Sequence, residues 1–472
     1  MKYQQIRKLS AVACMLAALS LLASCDTFSV RQSRTTADVG IEAAWVVLGE
    51  NGSAVARAIT TDLTCPDLIQ DGASKKMAVR MAPATIARRT TASSIADSKA
   101  SAFPVLTCEA ELRKDVRTAM LGGRSLPLPK QQPQRIVVIG DSGCRMKKAD
   151  DAFQACNDGT AWPFKTISDT AASFKPDLVI HVGDYHYRET ACPDGNAGCA
   201  DSPWGYGWDT WNADLFQPAA ALLTAAPWVM VRGNHESCAR AGQGWWRFLD
   251  PRPLQAGRDC NLDADDARGD YSAPYAVPIG GDAQLIVFDS AKVPGKPIAS
   301  GDQAFQIYMD QFKQVNRLAE NAAFNIFMNH HPVLGFSPWR LKSGAVEVRP
   351  GNAALQDIMQ RINAKRLFPS KVQVVLAGHV HLFQAIGFSS DHPAQLVSGN
   401  GGSANDHALP ETLALGATPY SDAVLSSFKT SQSYGFMTLE RLDRQWQMKA
   451  WDRAGKLMTT CLLENQKLAC TE

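Results

Sequence analysis

Five times along this chain a short apolar run of strand type leads into a polar segment, and this repetition constrains the fold more than any other feature. Ile136-Val137-Val138-Ile139 leads into Gly140-Asp141-Ser142-Gly143, and Leu178-Val179-Ile180 precedes Gly183-Asp184-Tyr185-His186-Tyr187. Trp228-Val229-Met230-Val231 precedes Gly233-Asn234-His235-Glu236, Ile326-Phe327-Met328 precedes Asn329-His330-His331-Pro332, and Val372 through Ala377 precedes Gly378-His379-Val380-His381. Short apolar runs bounded by turn residues read as buried strands. Side chains just past the carboxyl ends of strands in one sheet converge on one crevice, so the five segments together supply enough ligands for two metal ions. Helical patterns intervene, from Phe305 to Ala323 and from Ala353 to Leu367, which makes the alternation α/β.

Carboxylate, amide and imidazole ligands without thiolate suit iron, manganese or zinc. Two such ions sharing a carboxylate polarise a phosphoryl oxygen and lower the pKa of bound water, and phosphate ester hydrolysis is the reaction that most needs this. Taken singly, each residue has a plainer role: an Asp after Gly forms turns or caps helices, and a lone histidine is often a buried structural group. Five segments in order outweigh those readings. His181 sits inside a strand and reads as structural, His186 points away if its strand alternates, and His392 and His407 belong to no motif.

The spelling GDSG, GDYHY, GNHE, NHHP and GHVH resembles the calcineurin-like metallophosphoesterases and, within them, the purple acid phosphatases, over roughly Arg135 to Leu439. The resemblance implies a four-layer αββα sandwich, two mixed sheets flanked by helices. It implies a first metal held by Asp141, Asp184, Tyr187 and His381, and a second held by Asp184, Asn234, His330 and His379, with Asp184 bridging. Tyr187 stands where those enzymes place the tyrosine that binds ferric iron, so the expected pair is Fe(III) plus divalent iron, zinc or manganese. Gly143 replaces the ligand histidine of most metallophosphoesterases. Asp184 and His235 are then the catalytic pair; Asn234 and His235 bind phosphate, and His235 assists the leaving group as acid while metal-activated hydroxide attacks. Several purple acid phosphatases carry a further histidine after the fourth motif, but Val333 to Arg340 has none; His331 and Arg340 are the candidates for that contact. A small phosphate monoester is the expected substrate, and a phosphodiester or nucleotide at the same bimetal site is the second reading.

Two other classes fit these segments less well. Gly140-Asp141-Ser142-Gly143 also looks like the segment around a nucleophilic serine, yet the first histidine is His181, after that serine, and no histidine has Asp three residues before it. A lipid-anchored binding protein without catalysis would not need a competent residue at every ligand position.

Lys2, Arg7 and Lys8 precede an apolar stretch from Leu9 to Ala23, the plan of a secretory signal peptide. Leu22-Ala23-Ser24-Cys25 resembles the lipobox of bacterial lipoproteins, so Cys25 is the expected lipidated residue and the sole membrane contact, on the periplasmic side of the envelope. The remaining ten cysteines outside the signal fall into neighbouring pairs: 65 with 108, 144 with 156, 192 with 199, 238 with 260 and 461 with 470. Five disulfides suit export. With 48 basic against 46 acidic groups, no field recruits nucleic acid. The expected organisation is signal 1–24, tether 25–38, a small β-rich domain 39–125, a Pro-rich linker 126–133 and a catalytic domain 134–472. Trp204, Trp208, Trp211, Trp245 and Trp246 lie between motifs, either packed or available to stack on a substrate ring.

Overall fold

The computed structural model describes residues 40–414, 416–443 and 445–471; the signal segment, Cys25 and the tether lie outside the described residues. Two mixed sheets carry the motif strands. In the larger, of eleven strands among the described residues, Arg135–Ile139, Leu178–His181 and Trp228–Met230 run parallel side by side, with Ile139 opposite His181 and His181 opposite Met230. In the seven-stranded sheet, Phe324–Met328 and Val372–Ala377 run parallel, with Met328 opposite Leu376. The five strands are therefore divided three and two between facing sheets, not set in one, and the crevice lies where the two sets of carboxyl ends meet.

The layering follows from alternation along each strand. Ile136 and Val138 point between the sheets, where they share a core with Val287, Ile326, Met328, Val374 and Leu376. Val137 and Ile139 point outward beneath the helix Phe164–Ser173, whose Phe164, Ile167 and Ala171 form its buried stripe. On the opposite outer face Phe327 and Val375 pack under the helices Gln303–Ala319 and Ala353–Ile362. The first of these buries Tyr308, Phe312, Val315 and Ala319, the helical spacing of one apolar face. The second is capped by the Asn352 side chain, which accepts from Leu355 N at 2.9 Å, and ends at Ile362, well short of Leu367, whose φ of 68° cannot continue a helix. Helix, sheet, sheet and helix make the four-layer arrangement.

The amino-terminal strands form where the apolar runs place them, Ile41–Leu48 and Ala54–Thr60 as a hairpin with Leu106–Glu111 and Ala78–Met81 beyond. Within this β-rich region Asp67–Gln70, Ala73–Lys76, Ala119–Leu121 and Arg124–Ser125 form a small sheet of their own, while the four strands named before them join the larger sheet. Ile41–Leu48 pairs parallel with Trp228–Met230 through Val47 and Trp228, so these strands extend the catalytic sheet. They also grip the loop after the third motif: Arg57 donates to Phe248 O at 2.6 Å and Asp250 O at 3.0 Å, Arg80 to Trp246 O at 2.7 Å, and Ser93 N to Ala239 O at 2.9 Å. In the Pro-rich stretch Leu126 is buried in the inter-sheet core. At the other end Gly435–Leu442 pairs antiparallel with Arg135–Ile139. All five disulfides join the neighbouring cysteines, and no helix among the described residues is long and apolar enough to cross a membrane.

Candidate metal centre

The loops after the five strands meet at close quarters. Asp141, Asp184 and His379 have φ values of 55°, 57° and 69°, the left-handed region that non-glycine residues occupy only at a cost. Hydrogen bonds hold them there: His379 N donates to Asp141 Oδ2 at 3.0 Å, and His235 N to Asp184 Oδ1 at 2.8 Å. Gly233 permits that approach, since a Cβ there would lie 2.1 Å from Asp184 Oδ1. A Cβ at Gly143 would lie 2.8 Å from both Tyr187 N and Asp214 Oδ2, so the space a histidine would need at 143 is taken by the chain that brings in Tyr187.

The polar atoms gather in two groups sharing Asp184. Tyr187 Oη lies 3.0 Å from Asp141 Oδ1, 2.9 Å from Asp184 Oδ2 and 2.7 Å from His381 Nε2; one phenolic proton cannot serve all three. His330 Nε2 lies 3.0 Å from Asp184 Oδ2 and 3.0 Å from Asn234 Oδ1, and His379 Nδ1 is also 3.0 Å from Asn234 Oδ1. Asp184, His330 and His379 present ligand atoms within 4.8 Å of one another. The outer ring nitrogens are fixed by carbonyls, His330 Nδ1 by Val182 O at 2.9 Å and His381 Nδ1 by Ala404 O at 2.7 Å, which turns each Nε2 inward, free to hold a metal. Burial lowers His330, but Asp184 outweighs it and raises the imidazole to about 9, a measure of how strongly these atoms favour positive charge among them. Burial, then the charges of Asp141 and Asp184, hold the Tyr187 phenol well above its ordinary value; a cation beside it reverses that balance. The donor set fits metal.

Residues outside the ligand sets hold the loops. The buried Glu236 carboxylate accepts from Gly233 N, Asp184 N, Tyr185 N and His186 N at 2.9–3.2 Å. Buried Asp214, in a single π turn at Asn212–Phe216, accepts from Cys144 N at 3.0 Å, Tyr187 N at 2.8 Å, Arg188 N at 3.2 Å and Arg188 Nε at 2.7 Å, tying the first motif to the second. His235 stands over Tyr187 with ring centroids 3.9 Å apart. Its Nδ1 is 3.0 Å from Glu189 Oε1, and Arg240 Nη2 approaches both ring nitrogens, at 2.8 and 2.7 Å. Burial would raise Glu189, but Arg240 and then His235 hold it well below the carboxylate range. Burial, then the Arg240 cation, lowers His235 to about 4, so it is a neutral imidazole at neutral pH.

A cleft of about 490 Å³ opens over these residues, within the range of small-molecule sites. Asp184, Tyr187, Asn234, His235, His379 and His381 line one end of it, and His331 joins them, with its Nδ1 3.1 Å from Ser290 Oγ. Asp141 and His330 lie beneath, fully buried. Arg340 does not reach the cleft. It lies in the hairpin Phe336–Arg340 and Val346–Pro350, where Ser337 faces Arg349 and Trp339 faces Glu347; alternation puts Arg340 on the other face. The cations that line the cleft are Arg145, Lys147, Arg240 and Arg349. None belongs to a motif, although Arg349 could have been found by pairing the hairpin across its Lys342-Ser343-Gly344 turn. Trp208, Trp211, Trp245 and Trp246 are buried in the outer core. His186 is buried beside Tyr206 and Trp211. Ser142 Oγ lies 2.9 Å from His181 Nε2, but both are fully buried, and His181 Nδ1 accepts from Gly183 N at 3.2 Å. His181 therefore donates to the serine and cannot act as its base.

A family model described as calcineurin-like phosphoesterase matches residues 134–383, more than half of the chain. A search of curated proteins found no match. Among solved structures, a purple acid phosphatase from yellow lupin (Lupinus luteus) seeds is similar with a TM-score of 0.55 and 15% identity, over 90% of this chain and 74% of that one. PhoD is similar with a TM-score of 0.49 and 14% identity, over 92% and 91%. The lupin structure shares the fold. With its motif loops at the meeting of two sheets, this chain belongs to the calcineurin-like phosphoesterases.

Proposed function

We propose that the chain is a phosphomonoesterase of acid phosphatase type with two metal ions, Fe(III) beside Tyr187 and a divalent iron, zinc or manganese ion beside Asn234. The observation that carries this reading is the position of Tyr187 Oη within 3.0 Å of ligand atoms of Asp141, Asp184 and His381. Asp141, Asp184, Tyr187 and His381 would hold the first ion, and Asp184, Asn234, His330 and His379 the second. When bound, such a pair supplies Lewis acidity toward a phosphoryl oxygen and acidifies water.

The protein's own groups do the rest. His235, fixed by Glu189 and Arg240, presents an imidazole to the cleft, and its protonated form, favoured by acidity, would give a proton to the leaving-group oxygen. Asn234 and His331 orient the phosphate. Arg145 and Lys147 pair with Asp150 at 2.8 and 3.1 Å, and Asp406 lines the cleft beside them. Five disulfides mark an exported protein, and we take Cys25 as its lipid anchor on the strength of the lipobox spelling.

Metal analysis with side-by-side turnover of an aryl monoester and the matching diester tests the reading. Iron in the purified protein, a visible charge-transfer band bleached by Tyr187→Phe, and preference for the monoester are expected. A colourless protein holding two zinc or two manganese ions overturns the iron assignment, and diester preference overturns the substrate.

A further inference from the structure

We propose that Trp339 and Arg349 form a platform for a planar ring on the leaving group, so that the substrates are phosphomonoesters of ring-bearing alcohols; this rests on the phosphomonoesterase reading above. Of the eleven tryptophans, Trp339 alone is exposed, at 52%. A side chain with that much apolar area is normally packed away. Its position is set by the hairpin: Ser337, Trp339, Glu347 and Arg349 share one face by register, and Ser337, Trp339 and Arg349 line the same cleft as His235 and His379. The opposite face is anchored, with Val348 against the outer core.

The platform is built to stay in place. Phe336 N donates to Gln384 Oε1 at 3.0 Å, and Gln384 Nε2 returns a bond to Phe336 O at 2.8 Å, while Asn352 N donates to Pro332 O at 2.9 Å. Above this fixed base the Arg349 guanidinium lies 4.0 Å from the Trp339 ring centroid. A guanidinium stacked on indole orients the ring and leaves the rest of its surface to the cleft. The cleft runs unbroken from the metal-ligand end to this pair, so a phosphate at the ligands directs a sufficiently long leaving group along the hairpin. A nucleobase and a simple aryl group share the chemistry needed, a flat π-face.

The test compares kcat/KM for AMP with that for ribose 5-phosphate, and for phenyl phosphate with that for glycerol 2-phosphate, in the full metal-loaded protein. Stacking of a base on an aromatic side chain corresponds to roughly tenfold or more in binding. Trp339→Ala is expected to lower the ring-to-ringless ratio about tenfold, and Trp339→Phe to keep most of it. A fall in the AMP pair alone identifies a nucleobase, and a fall in both pairs a planar ring of either kind. Ratios unchanged in Trp339→Ala overturn the platform while the phosphatase reading stands. No turnover of any of the four esters by the wild type overturns that reading and the platform with it.

Discussion

Replacing Asp214 with asparagine removes the charge from a carboxylate that solvent does not reach. Its Oδ1 accepts from Cys144 N and Arg188 Nε, and its Oδ2 from Tyr187 N and Arg188 N. Asparagine offers one oxygen where there were two, so two of the four bonds are lost, and Arg188, itself buried, keeps its charge without a counter-charge. Breaking a buried pair by removing one partner costs about 3–5 kcal/mol. The lost backbone bonds involve the same cluster and are not added on top. Urea unfolding should therefore show Asp214→Asn less stable by about 3–5 kcal/mol, against less than about 0.5 kcal/mol for Lys165→Ala, which breaks an exposed helical pair with Asp169. Because Asp214 holds Tyr187 N and the residue after Gly143, the variant should also retain less metal after gel filtration. A loss below about 1 kcal/mol with full metal content would refute the reasoning, since it would mean that the first two motif loops hold their places without this carboxylate.

Gly233→Ala should lose metal from both sites together, because the added Cβ would press on the shared Asp184; overpacking of this kind costs about 1–3 kcal/mol, and a variant that still holds two ions per chain contradicts the packing argument. Burial would raise Asp177, but Lys130 and the backbone N–H groups of Gln134 and Arg135 outweigh it and hold the carboxyl below its ordinary value. A depressed carboxyl contributes stability above its unfolded pKa and loses it as pH falls through the folded one, so Asp177→Asn should lower Tm at pH 7 and matter progressively less toward pH 3, and an effect that grows on acidification has the wrong sign. Cys144–Cys156 and Cys238–Cys260 close short loops beside the first and third motifs, so full reduction should weaken metal retention; unchanged metal content in the reduced protein speaks against that bracing.

The five motif segments could be read from the chain because each lies just past its own strand, where local pattern and chemistry coincide. Cysteine pairing was legible for a related reason, since every pair joins neighbours along the chain. Partner choice between distant strands was not. The alternation of Ile41–Leu48 is the same whether it closes a small sheet or borders Trp228–Met230, and the pairing of Val47 with Trp228 depends on an edge that exists only after the main sheet forms. The same holds for side chains that act through others. Glu236 was visible as the last residue of the third motif but without a task, and Glu189, Asp214 and Arg240 carry no motif at all; what assigns them is the set of N–H groups and rings around them. Arg349 lines the cleft and Arg340 does not, although both lie in one hairpin.

The matched segment and the folding unit have different boundaries in this molecule. All seven proposed ligands lie within residues 134–383, yet a chain trimmed to that span would lose Ile41–Leu48 from one side of the first sheet and Gly435–Leu442 from the other. Trp228–Met230 and Arg135–Ile139 would become raw edges with unpaired backbone groups, the surfaces along which sheets join and aggregate. The strands that bring the ligands together are thus interior pieces of a sheet finished by the two ends of the chain. Any shortened version made for study has to keep both ends, although neither contributes a proposed ligand.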